Sequence, residues 1–234
     1  MAQQDVPLPP WQQPAKPSAA RPVLSRDGIV DTALRILDEE GLDAVSMRRV
    51  AQALGTGVAS LYVHVANKEQ LLQLLLDRVY GEVIVPPPDP DRWQEQIKQF
   101  ARSLRAVLHR HRDIARITFG PMPVGPNFVV VMEDFMALLA AAGVPARIAG
   151  ALGDILSLYA QAFALEEAAA YHKKDAEQDG RQIQDYLLSL PAERFPHVRG
   201  MAAHMAEDGS ADERFELGLD LLLRGVAATS ERPS

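Results

Sequence analysis

The segment SMRRVAQALGTGVASLYVHVANK, residues 46–68, carries the pattern of two short helices joined by a tight turn. Ser46 is a candidate N-cap, and the apolar positions Val50, Ala51 and Leu54 follow at helical spacing. Gly55 stands where the first helix must end, and Gly57 is expected to permit a sharp turn before the second. Leu61 and Val65, four apart, share one face of that second helix. Ser60, Tyr62, Val63 and His64 are then left to face outward. Asn67-x-x-Gln70 reads as a capping box for a further helix starting at Lys68.

A short helix presented in this way suits the major groove of DNA. Serine, tyrosine and histidine bond phosphates or base edges, and Val63 or Ala59 suits a thymine methyl. Arg48, Arg49 and Lys68 flank the helix, and no acidic residue lies between Ser46 and Lys68. The segment is thus locally +3 in a chain of 234 residues and net charge −7, the footprint of one phosphate-facing patch.

Gly41-Leu42-Asp43-Ala44-Val45-Ser46-Met47-Arg48-Arg49-Val50-Ala51, then Leu54-Gly55, then Ser60-Leu61-Tyr62-Val63-His64-Val65-x-Asn67-Lys68 resembles the TetR family of one-component transcriptional regulators. Near the other end, Phe215-Glu216-Leu217-Gly218-Leu219-Asp220-Leu221-Leu222-Leu223-x-Gly225 is similar to the final helix of the tetracycline repressor branch. His111-Arg112-Asp113 followed by Gly120 fits that branch too. The resemblance spans about residues 25–228 and is weakest across 125–210. It implies an all-α protein: an N-terminal three-helix helix-turn-helix DNA-binding domain, then a C-terminal helical bundle for ligand binding and dimerisation. In that branch the two long late helices pair with their copies in a dimeric four-helix bundle.

The outer segments agree with this organisation. Residues 1–24, rich in Pro, Gln and Ala, are expected to form a disordered arm. Ser25 caps a helix whose stripe of Ile29, Ala33, Ile36 and Leu37 runs to Glu40, closed by Gly41; Arg26 near its start is within reach of a phosphate. From Lys68, the leucines 71, 72, 75 and 76 with Val79 extend a connecting helix to about Val83. Pro86-Pro87-Pro88 with Pro90 breaks it and divides a DNA-binding domain, 25–85, from a regulatory and dimerisation domain, 90–230. Helices are then expected over Arg92–His111, Asp113–Phe119, Phe128–Ala142, Pro145 to about Tyr171, Arg181–Leu190 and from Ser210 onward. Lys173–Gly180 reads as a polar break and 191–209 as loosely ordered. Small residues from Ala146 to Ala164, and the pair Gly218 and Gly225, are expected to let helices approach closely.

What the resemblance implies for individual residues follows only where positions match. Arg48, Ser60, Tyr62, His64 and Lys68 match DNA-contacting positions in type or nearly so. Val58, Ala59 and Val63 depart from the tetracycline repressor, which implies a different operator sequence with phosphate anchoring kept. In the effector site, Thr118 stands where the repressor has a magnesium-liganding histidine. Phe100 and Leu104 replace a drug-binding asparagine and phenylalanine, and Tyr80 replaces another drug-contacting histidine. A lone threonine is a poor magnesium ligand and an apolar pair cannot bond a polar drug edge. The expectation is therefore a mainly apolar small molecule held among Phe100, Leu104, Phe119, Met122, Phe135 and Tyr159, with no metal and no cofactor. The same residues also suit an ordinary helical core.

Other classes are disfavoured. None of the six histidines has a glutamate three residues before it, so di-iron bundle chemistry is not encoded, and no phosphate-binding glycine loop occurs. There is no cysteine, hence no disulfide or thiolate metal site. No uninterrupted apolar run reaches the ~18 residues of a membrane span, and the first residues lack the apolar core of a signal peptide. These points lead to an expected cytoplasmic, homodimeric, sequence-specific regulator of double-stranded DNA, most simply a repressor released from a palindromic operator by the effector. A helical adaptor that uses the helix-turn-helix to bind protein is the alternative.

Overall fold

The computed structural model describes residues 24–118, 124–171, 176–205 and 210–230, and among them it contains helices and no strand. Ten α-helices follow in order: α1 (Arg26–Glu40), α2 (Met47–Ala53), α3 (Val58–Tyr62), α4 (Lys68–Tyr80), α5 (Trp93–Arg110), α6 (Pro126–Ala141), α7 (Ala146–Tyr171), α8 (Ala176–Ser189), α9 (Pro196–His204) and α10 (Ala211–Ser230). Single 3-10 turns cover Leu42–Ala44, Pro90–Arg92 and Ile114–Ile117.

The ends of these helices follow from local chemistry. Ser25 Oγ accepts from Gly28 N at 3.1 Å, and Ser46 Oγ from Arg49 N at 3.1 Å, so each hydroxyl satisfies an amide that has no partner within its helix. Gly41 closes α1 at φ +89°, a region costly to any residue with a Cβ. Gly55 makes the turn after α2 at φ +62°. Gly57, in contrast, has φ −77° and is simply the N-cap of α3, so the turn draws on one glycine's freedom rather than two. At α4, Asn67 Oδ1 accepts from Gln70 N at 2.8 Å. The Gln70 side chain reaches one residue further back than a standard capping box, to Ala66 N at 2.6 Å.

One apolar core runs from Ile29 to Leu223. α4 carries it across: Leu71 and Leu75 are fully buried under the three-helix head, while Val79 and Tyr80 are buried in the body. In the body, α5, α6 and α10 each pack against α7. α7 meets the length and composition of a membrane span over Ala146–Ala169, which a count of uninterrupted apolar residues does not register. Here it serves as the central core helix, with Leu152, Leu156, Ala160 and Ala164 buried.

Three expectations change. Residues 191–209 are not wholly irregular, because Pro196 occupies the first turn of α9, where its missing N–H costs nothing. α8 begins at Ala176, inside the stretch read as a polar break. The helix expected over Asp113–Phe119 is a 3-10 turn over Ile114–Ile117. The expected arm of residues 1–24 lies, but for Leu24, outside the described residues.

Candidate nucleic-acid interface and effector core

Leu61 and Val65 are fully buried, and they orient everything around them. With that face fixed against the head, Tyr62 is 53% and Val63 80% exposed, and Ala59 and Ser60 are exposed beside them. Val58 at the start of the helix and His64 just past its end are half-buried, and Arg48 and Lys68 are exposed on the flanks. Among the described residues, a tyrosine and a valine left this exposed at the end of a five-residue helix serve no packing purpose, which leaves the face open to a partner. Arg26 Nε donates to His64 O at 3.2 Å, fastening the start of α1 to the end of α3.

Arg49, expected on the DNA-facing surface, is half-buried and paired within the head. Its guanidinium donates to Glu40 in a two-point pair, Nε at 3.1 Å and Nη2 at 2.5 Å. The hydrogen bond holds the Glu40 carboxyl below, and the arginine above, the ordinary value. A glutamate outside the 46–68 segment thus neutralises part of the local charge counted from sequence. Arg48 and Lys68 remain the exposed cations, and among the described residues neither forms an ion pair.

The head is joined to the body at two places. In the first, the α5 end docks on the α1 end. The His111 ring lies between Asp38 (Nδ1 to Oδ2, 3.0 Å) and Glu82 (Nε2 to Oε1, 3.0 Å), and Asp113 Oδ2 accepts from Leu42 N at 3.1 Å. In the second, Asp77 of α4 caps α6 from another element. Its carboxylate accepts from Phe128 N at 2.9 Å and from Asn127 Nδ2 at 3.2 Å. The local N-cap is Gly125, where any Cβ would overlap the Asp77 carboxylate. Neither joint is visible as a motif, because each pairs residues some 30 to 75 positions apart.

The residues expected to form an effector site divide into two groups. Tyr80, Phe100, Leu104 and Phe135 are buried together in the body. The Phe100 and Phe135 rings lie 4.8 Å apart, and Tyr80 meets Phe128 edge-on at 5.1 Å. Tyr159 belongs elsewhere: it stacks on Phe215 at 5.1 Å, and its hydroxyl donates to Arg214 O at 3.1 Å, sealing α7 to α10. Thr118 is half-buried and its hydroxyl donates to Ala115 O at 2.7 Å. Phe119 and Met122 lie outside the described residues. Phe128 and Gln161 were not anticipated. Gln161 is buried, at 7% exposure, and burial holds the Tyr80 phenol above its ordinary value.

A buttressed, outward-facing recognition helix on an all-helical body with an aromatic interior defines a helix-turn-helix DNA-binding regulator. Comparison with known proteins assigns the family. Residues 29–75 match the bacterial regulatory proteins of the tetR family, and residues 85–230 match the tetracyclin repressor-like C-terminal domain. The chain belongs to the TetR family and is a DNA-binding transcriptional regulator. It is 33% identical over 220 residues to an HTH-type transcriptional regulator of Saccharopolyspora erythraea, covering 94% of this chain and 92% of the relative. It is 30% identical to the transcriptional repressor DrrR1 of Streptomyces coeruleorubidus, with 92% and 82% covered. Among solved structures it is similar to Streptomyces coelicolor ActR in complex with actinorhodin: TM-score 0.84, 46% identity, 91% of this chain and 99% of that one.

Proposed function

We propose that the protein is a homodimeric repressor that leaves a roughly palindromic operator when a mainly apolar small molecule enters its body. The exposed Ser60–Tyr62–Val63 face, held by buried Leu61 and Val65, is the observation that carries the DNA half of this reading. Arg48, Ser60, Tyr62, His64 and Lys68 anchor phosphates and bases, while Val58, Ala59 and Val63 set the operator sequence. Arg49 acts through the head's own packing.

The dimer reading rests on an apolar face that the single chain leaves open. Ile155 and Leu158 on α7 are 46% and 56% exposed, and Leu217 and Leu221 on α10 are 59% and 62% exposed. Two copies meeting there would set their recognition helices about one DNA turn apart (~34 Å). The effector reading is supported by the buried aromatic residues around Tyr80, Phe100 and Phe135, and by the likeness to ActR, solved with actinorhodin. An effector that binds better to a conformer with the wrong helix spacing lowers DNA affinity by that differential affinity.

Selection of bound duplexes from a random DNA pool, followed by titration of the winner at several salt concentrations, tests the proposal. The expected result is a palindromic winner bound by two protomers, with affinity falling steeply as salt rises. No enrichment over nonspecific binding would overturn it and bring the protein-binding adaptor forward.

A further inference from the structure

Three of the side chains assigned to DNA stand where the recognition helix supports them least. α3 ends at Tyr62, so Val63 and His64 lie beyond its last helical residue. A helix of five residues is too short to hold its own shape in water. Its exit is tied by His64 N and Val65 N, which both donate to Leu61 O at 2.9 Å, and by the burial of Leu61 and Val65. α3 packs chiefly on α2. None of these contacts fixes the exit of α3 against α1.

Arg26 supplies that link. It is the first residue of α1, directly after the Ser25 cap. A cation at this end opposes the helix dipole, so its placement does not serve α1 itself. Among the described residues Arg26 forms no ion pair, whereas its neighbour Asp27 pairs with Arg78 at 2.9 Å and Asp31 pairs with the same arginine at 2.6 Å. Arg78 thus keeps the first turns of α1 on α4, and Arg26 acts from a fixed position. Its Nε donates to His64 O at 3.2 Å, across 38 positions of sequence. Among the described residues no backbone amide donates to that carbonyl. The donor is a charged group, which makes the bond stronger than one between neutral partners.

We infer that Arg26 is a positioning residue of the DNA-reading face. It sets the direction in which Tyr62, Val63 and His64 leave α3, and it does so through the His64 carbonyl rather than by touching DNA. Without that bond the exit is held only on its core side, through Leu61 and Val65, and the three side chains sample more directions. Discrimination between base pairs then falls, because a base-edge contact needs a fixed direction. Attraction to phosphates needs only nearby charge and persists. The inference rests on the proposed reading of this face as the one that reads DNA.

The test uses the full chain as wild type, Arg26→Met, Arg26→Ala and Arg26→Lys, the last of which keeps a charged donor. Fluorescence anisotropy measures each on the selected operator and on a scrambled duplex of the same length, over a series of salt concentrations. Circular dichroism melting checks each fold. The ratio of the two affinities is expected to fall about tenfold in Arg26→Met and Arg26→Ala, and by no more than about twofold in Arg26→Lys. The salt slope on the operator should keep its wild-type value in every variant, since no phosphate contact is removed. A wild-type ratio in Arg26→Met and Arg26→Ala would overturn the inference. So would a salt slope lower by about one per protomer, the sign of a direct phosphate contact, or a loss in Arg26→Lys as large as in Arg26→Met. A wild-type protein that does not discriminate between the two duplexes would overturn the reading of the face itself, whereas discrimination that survives in the variants removes only Arg26.

Discussion

Arg48 and Arg49 are neighbours in sequence with different surroundings. Arg48 projects into solvent, whereas Arg49 is turned back onto Glu40. Substituting Arg48 or Tyr62 by alanine is expected to weaken specific operator binding by about 1–3 kcal/mol without lowering the melting temperature. Arg49→Ala should cost clearly less DNA affinity than either. Titration of the three variants on the selected operator settles the order, and an Arg49→Ala loss equal to that of Arg48→Ala would refute this reading of the pair. Glycines divide in the same manner. A Cβ on Gly218 would overlap the Tyr159 phenol, so that glycine serves the chain's own α7–α10 contact, whereas Gly225 faces open space in the single chain. Sequence spacing alone treated the two as equivalent.

At the level of helices, the Asp77 cap is the clearest link between α4 and the body. α6 begins Gly-Pro-Asn, a start with no side-chain cap of its own, and Asp77 supplies both the acceptor and the negative charge that a helix N-terminus favours. Asp77→Ala is expected to cost about 0.5–2 kcal/mol of stability, read as a lower urea midpoint with an unchanged slope. A midpoint identical to wild type would mean that the cap contributes nothing. α10 is held to α5 by partly exposed ion pairs, Arg102 with Glu216 and Lys98 with Asp220 at 2.6 Å. The Arg102 hydrogen bond lowers the Glu216 carboxyl, and Lys98 does the same for Asp220. Carboxyls lowered on folding stabilise the fold above their unfolded range near pH 4, and that contribution disappears as pH falls through the lowered values. Melting temperature should therefore drop on acidification toward pH 3, and less steeply in Glu216→Gln. At pH 7 that variant should lose only about 0.5–1 kcal/mol, because the pair is partly solvated. A parallel acid response in the two proteins would remove Glu216 from the account.

For the whole molecule, the open question is the apolar face on α7 and α10. Leucines more than half exposed at positions 217 and 221 of α10, and the exposed Ile155 and Leu158 on α7, which packs against it, are apolar side chains that a second copy would cover. Leu221→Asp is expected to turn a dimer into a monomer in sedimentation and to lose operator binding, since one recognition helix makes half the contacts. A Leu221→Asp protein that remains dimeric would place the interface elsewhere. The hairpin of α8 and α9 packs chiefly on itself, tied by Gln184 Nε2 donating to Ala202 O at 2.8 Å, and it connects the ends of the two helices that carry the patch.

The local code was legible wherever one short stretch contains both the signal and the response. Ser25, Ser46 and Asn67 cap the helices they precede, Gly41 and Gly55 take positive φ, and the four-residue spacing of Leu61 and Val65 orients the outward face of α3. These features depend on hydrogen bonds and steric limits within about four residues, so the order of residues contains them. Tertiary structure decided everything that depends on partners distant in sequence. It paired Arg49 with Glu40, put Tyr159 at the α10 seam rather than beside Phe100, and brought Asp77 to α6. Periodicity tells which face of a helix is buried, but not which helix it meets. The chemistry of a buried polar group is set by what it meets.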